Sequence, residues 1–171
     1  MNTETINSNT KKTTGVVFPL LILMLTNIVI AIIYLFFVRG FNYTFQTNGE
    51  PMFAIPGNIL MWLTFGMLIL LGTVPYFLFN LSNFKTDRNG LKLNYTLFYI
   101  YMLEVLMWAF FSFTLAMPIV GVIMLGIAIA LGIFTTYRFM TNSITSGVIL
   151  TIFELWLIYV FILNFAYVLL K

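Results

Sequence analysis

Two glutamates are the first candidates for chemistry in this 171-residue chain, because each lies inside a long apolar stretch. Glu104 and Glu154 have no lysine, arginine or histidine near them in those stretches, so we expect both acids to be protonated much of the time. A charged acid in hydrocarbon costs roughly 2 to 3 kcal/mol or more unless it is paired or protonated. Two interpretations stay open: each acid contacts a polar ligand or exchanges a proton, or it hydrogen-bonds as a neutral group to a neighbouring helix and holds the helices together.

Glu104 shares one helix face with aromatic and polar residues. Spacings of three and four place these residues on the same side of a helix: Tyr101, Glu104, Trp108 and Ser112. A face turned to lipid would carry Leu, Ile and Val, so we expect this face to point into the protein. It is either part of a packed core or the wall of a ligand cavity.

Ala128 and Gly132 form a small-xxx-small pair typical of close helix packing, within one chain or between two.

Composition excludes several classes of protein. Hydrophobic residues make up 61% of the chain and charged residues 8%, whereas a soluble domain is about half apolar and about a quarter charged. The absence of cysteine and histidine removes disulfides and the commonest ligands of zinc and haem iron, so we predict no metal and no cofactor. We also find no nucleophile-base pair and no phosphate-binding glycine loop, and we predict no enzyme. The net charge of +3 forms no basic face, which argues against nucleic acid as a partner.

The elements that must position these residues are membrane-spanning helices, since a helix of about 20 residues crosses about 30 Å of hydrocarbon. After a polar tail at residues 1–15, the apolar runs predict one domain over residues 16–171 with spans at 18–38, 57–81, 95–117, 119–137 and 144–170. Pro75 predicts a kink in the second span. The first run is too long for a signal peptide and lacks a small-residue cleavage site. The predicted fold class is an all-α integral membrane protein, a five-transmembrane-helix bundle.

Basic residues predict the orientation of the bundle in the cell membrane, since loops rich in lysine and arginine stay cytoplasmic. One side receives Lys11, Lys12, Lys85, Arg88, Lys92 and Arg138, and the other receives only Arg39 and Lys171. We therefore expect a multi-pass protein with a cytoplasmic amino terminus and a carboxyl terminus outside. The loop at residues 39–55 then lies outside and is a candidate lid over the bundle.

The order of several residues resembles a known family. The residues that carry the resemblance are Pro51, Phe53, Ala54, Pro56, Gly57, Gly72, Trp108, Phe113, Tyr137, Arg138, Gly147, Trp156, Leu163 and Asn164. They resemble the proline-rich start of the second helix, the aromatic third helix, and the glycine, tryptophan and Leu-Asn pair of the fifth helix in the TspO/MBR family. These tryptophan-rich sensory proteins include the mitochondrial translocator protein. Five spans in about 170 residues, with a longer first loop, is also the plan of that family.

The chain departs from the family pattern at several positions. Asn58 and Thr64 stand where the family usually has tryptophan, and Val105 stands where it has asparagine in the third helix. Ile152 and Phe153 replace the proline and tyrosine of the fifth helix. These losses put in doubt any function that rests on tryptophan chemistry or stacking.

The resemblance implies a pocket between the helices that is closed by the first loop. In the family such pockets bind porphyrins and, in some members, sterols or synthetic hydrophobic ligands, and homodimers are common. Carried over position by position, it predicts a pocket lined by Trp108, Trp156, Val160, Leu163 and Asn164, with Phe53, Ala54 and Pro56 at the mouth. Tyr101, Glu104 and Glu154 join this set from their positions in the apolar helices and not from the resemblance. Without histidine, a bound tetrapyrrole would be metal-free or held without the usual axial imidazole.

The leading hypothesis is a receptor-like or transport-related membrane protein that binds a tetrapyrrole, or a sterol-like molecule, within the bilayer. Aromatic faces would provide contact area, and a few polar groups would orient the ligand. The first alternative is a proton-coupled carrier of a small solute that uses Glu104 and Glu154. The second is a non-catalytic subunit whose aromatic faces dock onto another membrane protein.

Overall fold

The computed structural model describes residues 3–39, 51–81 and 88–169, and they form helices without a strand among them. The elements are α1 (Thr3–Val38), α2 (Gly57–Leu70), a turn of 3-10 helix (Leu71–Thr73), α3 (Val74–Leu81), α4 (Arg88–Ala109), a π-helical turn (Phe110–Thr114), α5 (Pro118–Asn142) and α6 (Ile144–Leu169). Helix α5 packs between α4 and α6, while α1 packs mainly against α2 and the 3-10 turn that follows it.

Five helical segments are long and apolar enough to cross a membrane. They are Leu21–Val38, Gly57–Leu78, Lys92–Thr114, Pro118–Asn142 and Ile144–Leu169. These segments confirm the number and order of the predicted apolar helices. Their outer faces expose large apolar residues such as Ile32, Leu103 and Leu155, whereas Thr64 and Ser146 are buried. Such an arrangement suggests a multi-pass membrane protein. The hydrocarbon of a bilayer accepts an apolar outer surface but offers no hydrogen bonds, so polar side chains turn to the protein interior.

Two helices begin earlier than their apolar runs. Helix α1 starts at Thr3, within the polar tail, and α4 starts at Arg88, ahead of the predicted residue 95. An apolar run marks the part of a helix that suits hydrocarbon, whereas the backbone can remain helical in polar sequence that contains no proline. The predicted boundaries therefore locate the apolar part of each helix.

The second apolar segment is interrupted just before Pro75. Proline has no N–H to donate to the carbonyl of Leu71. The N–H of Val74 donates to that carbonyl instead, and the chain passes through a turn of 3-10 helix at Leu71–Thr73. Gly72 lies in this turn, and a Cβ there would be 3.1 Å from Asn27 Cβ and 3.2 Å from the Met24 Cα of α1. The sequence-predicted irregularity at Pro75 thus coincides with a close approach of α1.

Helix α4 ends in an unusual way. The last residues form a π-helical turn in which the N–H of Leu115 donates to the Phe110 carbonyl at 3.0 Å. Ala116 then takes a left-handed conformation with φ 52°, which reverses the chain. Helix α5 follows with Pro118 in its first turn, where the missing N–H has no intrahelical partner to lose.

Candidate functional site

Three helices meet around the carboxyl group of Glu154. The side chain of Glu154 in α6 is 5% exposed, and Tyr101 in α4 is fully enclosed. Both pack against Gly132 of α5: a Cβ at Gly132 would lie 2.7 Å from the Tyr101 ring carbon Cε2 and would overlap the Glu154 carboxyl group. Because Gly132 has no side chain, the carboxyl group of Glu154 can pack directly against the backbone of α5 in the protein interior.

The polar atoms of this cluster face each other. No well-formed hydrogen bond reaches either carboxyl oxygen of Glu154 or the Tyr101 hydroxyl within the described residues, although the two groups are close enough to hydrogen-bond to each other. A buried polar group left without such a partner costs about 1–3 kcal/mol. A ligand atom, a transferred proton or a shift of either side chain could provide the bond, so this cluster is the strongest candidate for chemistry.

A second cluster surrounds Trp108 at the junction of α1 and α4. Its indole ring lies 6.4 Å from the Tyr34 ring at an interplanar angle of 27°, and 5.6 Å from the Phe113 ring at 75°. All three side chains are buried. The indole Nε1 of Trp108 and the hydroxyl of Ser112 have no hydrogen-bond partner among the described residues, and the Tyr34 hydroxyl lies close to the side chain of Thr64. The predicted inward face of α4 is therefore largely buried, and α1 covers this part of it.

Glu104 differs from the rest of that face. Its side chain is half-buried, and the oxygen Oε2 is enclosed without a hydrogen bond in the described part of the chain. No hydrogen bond joins Glu104 to Glu154 across these described helices. The two acids consequently occupy different surroundings, and the structure does not bring them together as a hydrogen-bonded pair.

Trp156 connects α6 to α2. Its indole Nε1 donates to Thr64 Oγ1 at 3.0 Å, and the Thr64 hydroxyl in turn donates to the Leu60 carbonyl at 2.9 Å. The ring of Trp156 lies 5.4 Å from that of Tyr159 at an interplanar angle of 31°. Thr64 thus supplies a polar partner at one of the positions where the sequence departs from the family pattern.

Tyr159 fastens the chain that precedes α2. Its hydroxyl donates to the Phe53 carbonyl at 3.0 Å and accepts from the Ile55 N–H at 3.3 Å. We call residues 51–56 the strap. Within it, Phe53 is 49% exposed, Pro56 is exposed and Ala54 is half-buried against the core. The predicted mouth residues therefore lie beside Tyr159, one turn beyond Trp156 near the middle of α6, while residues 40–50 of the predicted lid lie outside the described residues.

The remaining predicted residues lie on the buried face of α6. Val160, Leu163 and Asn164 are all buried. The side-chain amide of Asn164 donates to the Val160 carbonyl at 2.7 Å, whereas its Oδ1 has no hydrogen-bond partner among the described atoms. These side chains form packed interior at this point of the bundle.

Two cavities lie apart from the predicted residues. A groove of about 410 Å³ runs between α1 and α2, and a second cavity of about 320 Å³ lies where the start of α5 meets Val168 of α6. None of the predicted site residues lines either of them. In the part of the chain that the structure describes, no three acidic, histidine or cysteine side chains come together as a metal-ligand set.

Sequence reasoning missed three residues that organise these clusters. Tyr34 belongs to a buried stripe of α1, which consists of Asn27, Ala31, Tyr34 and Val38. The spacings of four and three in that stripe were the available signal. Tyr159 follows Trp156 by three positions and so shares its face. Thr64 gave no signal, because its role depends on a residue 92 positions away.

Comparison of the sequence with protein-family models, curated proteins and solved structures gives no match. The resemblance to the TspO/MBR family therefore stays a prediction that rests on the residues named above.

Proposed function

We propose that this chain is a TspO/MBR-like integral membrane protein that binds a hydrophobic small molecule of the tetrapyrrole class between its helices. The observation that carries the proposal is a set of buried polar atoms without hydrogen-bond partners among the described residues. The set comprises Trp108 Nε1, Ser112 Oγ and Asn164 Oδ1, and beside it lie the Tyr101 hydroxyl and the Glu154 carboxyl group, which are within reach of each other but form no well-shaped hydrogen bond. Native interiors pair nearly all such atoms, and a ligand pocket combines apolar walls with a few polar groups that orient the ligand.

The strap supports the position of the pocket mouth. Tyr159 holds Phe53 and Ile55 against α6, next to Trp156. A ligand that enters from this end would pass the strap and meet the Trp156–Thr64 hydrogen bond before it reaches Glu154. In this proposal the strap lies towards the outer side of the cell membrane and the amino terminus in the cytoplasm. Homodimers, common in the resembled family, belong to the proposal as well.

Because Trp108 and Val160 are fully enclosed, ligand binding requires the helices to move apart or these side chains to change rotamer. The polar groups would then exchange an unpaired state for hydrogen bonds to the propionates or pyrrole nitrogens of the ligand. Binding energy would come mainly from aromatic contact area, and selectivity from the few polar atoms.

The test is a fluorescence titration of the detergent-purified protein with protoporphyrin IX. The chain has three tryptophans, which allows a matched control. We expect saturable quenching at micromolar ligand that weakens several-fold in Trp108→Phe and in Trp156→Phe. Trp62 is 57% exposed on the outer surface, so Trp62→Phe should bind like the wild type. Quenching that rises linearly and equally in all variants would mean partition into detergent and would reject the proposal.

A second candidate function is a proton-coupled carrier of a small solute. The enclosed carboxyl group of Glu154 favours it, because such an acid can take up or release a proton when it is opened to water. Tyr101 faces it from α4, and Gly132 of α5 adds no titratable group. Under this candidate, Glu154→Gln abolishes proton-driven uptake into proteoliposomes, whereas under the leading proposal it changes porphyrin affinity only a few-fold.

A further inference from the structure

We propose that the groove between α1 and α2 is a binding site for an anionic phospholipid. Residues of both helices line it: Ile32, Leu35, Phe36, Arg39, Met61 and Trp62. The inference is independent of the tetrapyrrole pocket and requires only that the helices cross a membrane.

The groove has the polarity of a lipid site and the length of part of an acyl chain. Ile32 in α1 and Arg39 directly after its last residue are seven positions apart, which corresponds to about 10 Å along the helix axis. The wall between them is apolar and suits an acyl chain, while the guanidinium of the exposed Arg39 lies at the end where α1 stops. A chain that follows the wall would therefore bring its headgroup to Arg39.

The positive charge of Arg39 favours a lipid with an anionic headgroup. Arg39 is the sole basic residue between positions 13 and 84 of the sequence, and neither Glu104 nor Glu154 lines the groove. A guanidinium binds phosphate oxygens in a bidentate manner, and a lipid with net negative charge gains more from it than a zwitterionic one, whose own ammonium competes. Trp62 adds an exposed indole of the type that is enriched at membrane interfaces.

The test is native mass spectrometry of the full-length protein in detergent with equal amounts of phosphatidylglycerol and phosphatidylcholine of identical acyl chains. We expect the wild type to retain phosphatidylglycerol about fivefold in preference, the ratio expected for one cationic side chain near a lipid surface. Arg39→Gln should remove the preference. Lys92→Gln removes the same charge from an exposed position on α4 and should keep it.

A second variant tests the contribution of the apolar groove to lipid binding separately from that of the Arg39 charge. Ile32→Trp fills the groove from an exposed position and leaves Arg39 in place, so we expect it to reduce retention of both lipids and to lower the preference. Equal retention of the two lipids by the wild type would overturn the proposal. A preference that survives both Arg39→Gln and Ile32→Trp would also overturn it, by placing the lipid elsewhere on the protein.

Discussion

The replacement of Gly132 by alanine tests the contact at the centre of the candidate site. The added methyl group would overlap the carboxyl group of Glu154 and would lie 2.7 Å from the Tyr101 ring carbon Cε2. A carboxyl at the end of a side chain can often move aside at little cost. Here Glu154 is enclosed by three helices, and the Tyr101 ring is buried as well, so neither can yield without disturbing its neighbours.

The expected magnitude follows from two opposing effects. Overpacking of a well-filled interior costs about 1–3 kcal/mol. Alanine in a helix is favoured over glycine by about 1 kcal/mol. Gly66→Ala provides the matched control, because a Cβ there meets nothing within 4 Å. Since the helix preference acts in both variants, the difference between their free energies of unfolding should equal the overpacking cost alone.

The assay is thermal unfolding of both variants in the same detergent, followed by circular dichroism. A difference of about 2 kcal/mol corresponds to roughly 4–8 °C for a chain of this size, with Gly132→Ala the less stable variant. Glu154→Ala removes the carboxyl group that the methyl would displace, so the double variant should recover about 1 kcal/mol or more relative to additivity. Equal melting temperatures for Gly132→Ala and Gly66→Ala would refute the packing of Glu154 against Gly132.

Three further predictions concern the contacts around the site. Trp156→Phe removes the hydrogen bond to Thr64 and should lower the free energy of unfolding by about 1 kcal/mol, with no further loss when Thr64→Val is added; additive losses in the double variant would argue against that bond. Tyr159→Phe removes the hydroxyl that holds the strap, so limited proteolysis and amide exchange at residues 51–56 should accelerate while the melting temperature changes little. Ala116→Gly relieves the left-handed conformation after α4 and should stabilise the protein by about 1 kcal/mol in thermal unfolding, whereas a loss of stability would contradict the positive φ at that position.

The sequence by itself determined the number and order of the apolar helices and much of the inward side of α4. Hydrophobic runs of about 20 residues depend only on local composition, and a face recurring every three to four positions depends only on helix geometry. For that reason the enclosure of Tyr101 and Trp108 could be anticipated. Helix ends were less predictable, as at Thr3 and Arg88, because polar residues can continue a helix beyond its apolar part.

Only the tertiary structure decided which faces meet. Glu154 was a candidate from its type, but its contact with Gly132 depends on the rotation and depth of α5 and α6 relative to each other. The Trp156–Thr64 hydrogen bond likewise joins residues 92 positions apart, and Tyr159 reaches a carbonyl 106 positions away. Periodicity specifies a direction within one helix and carries no information about the neighbour it will face, because that neighbour is selected by the packing of all the helices together.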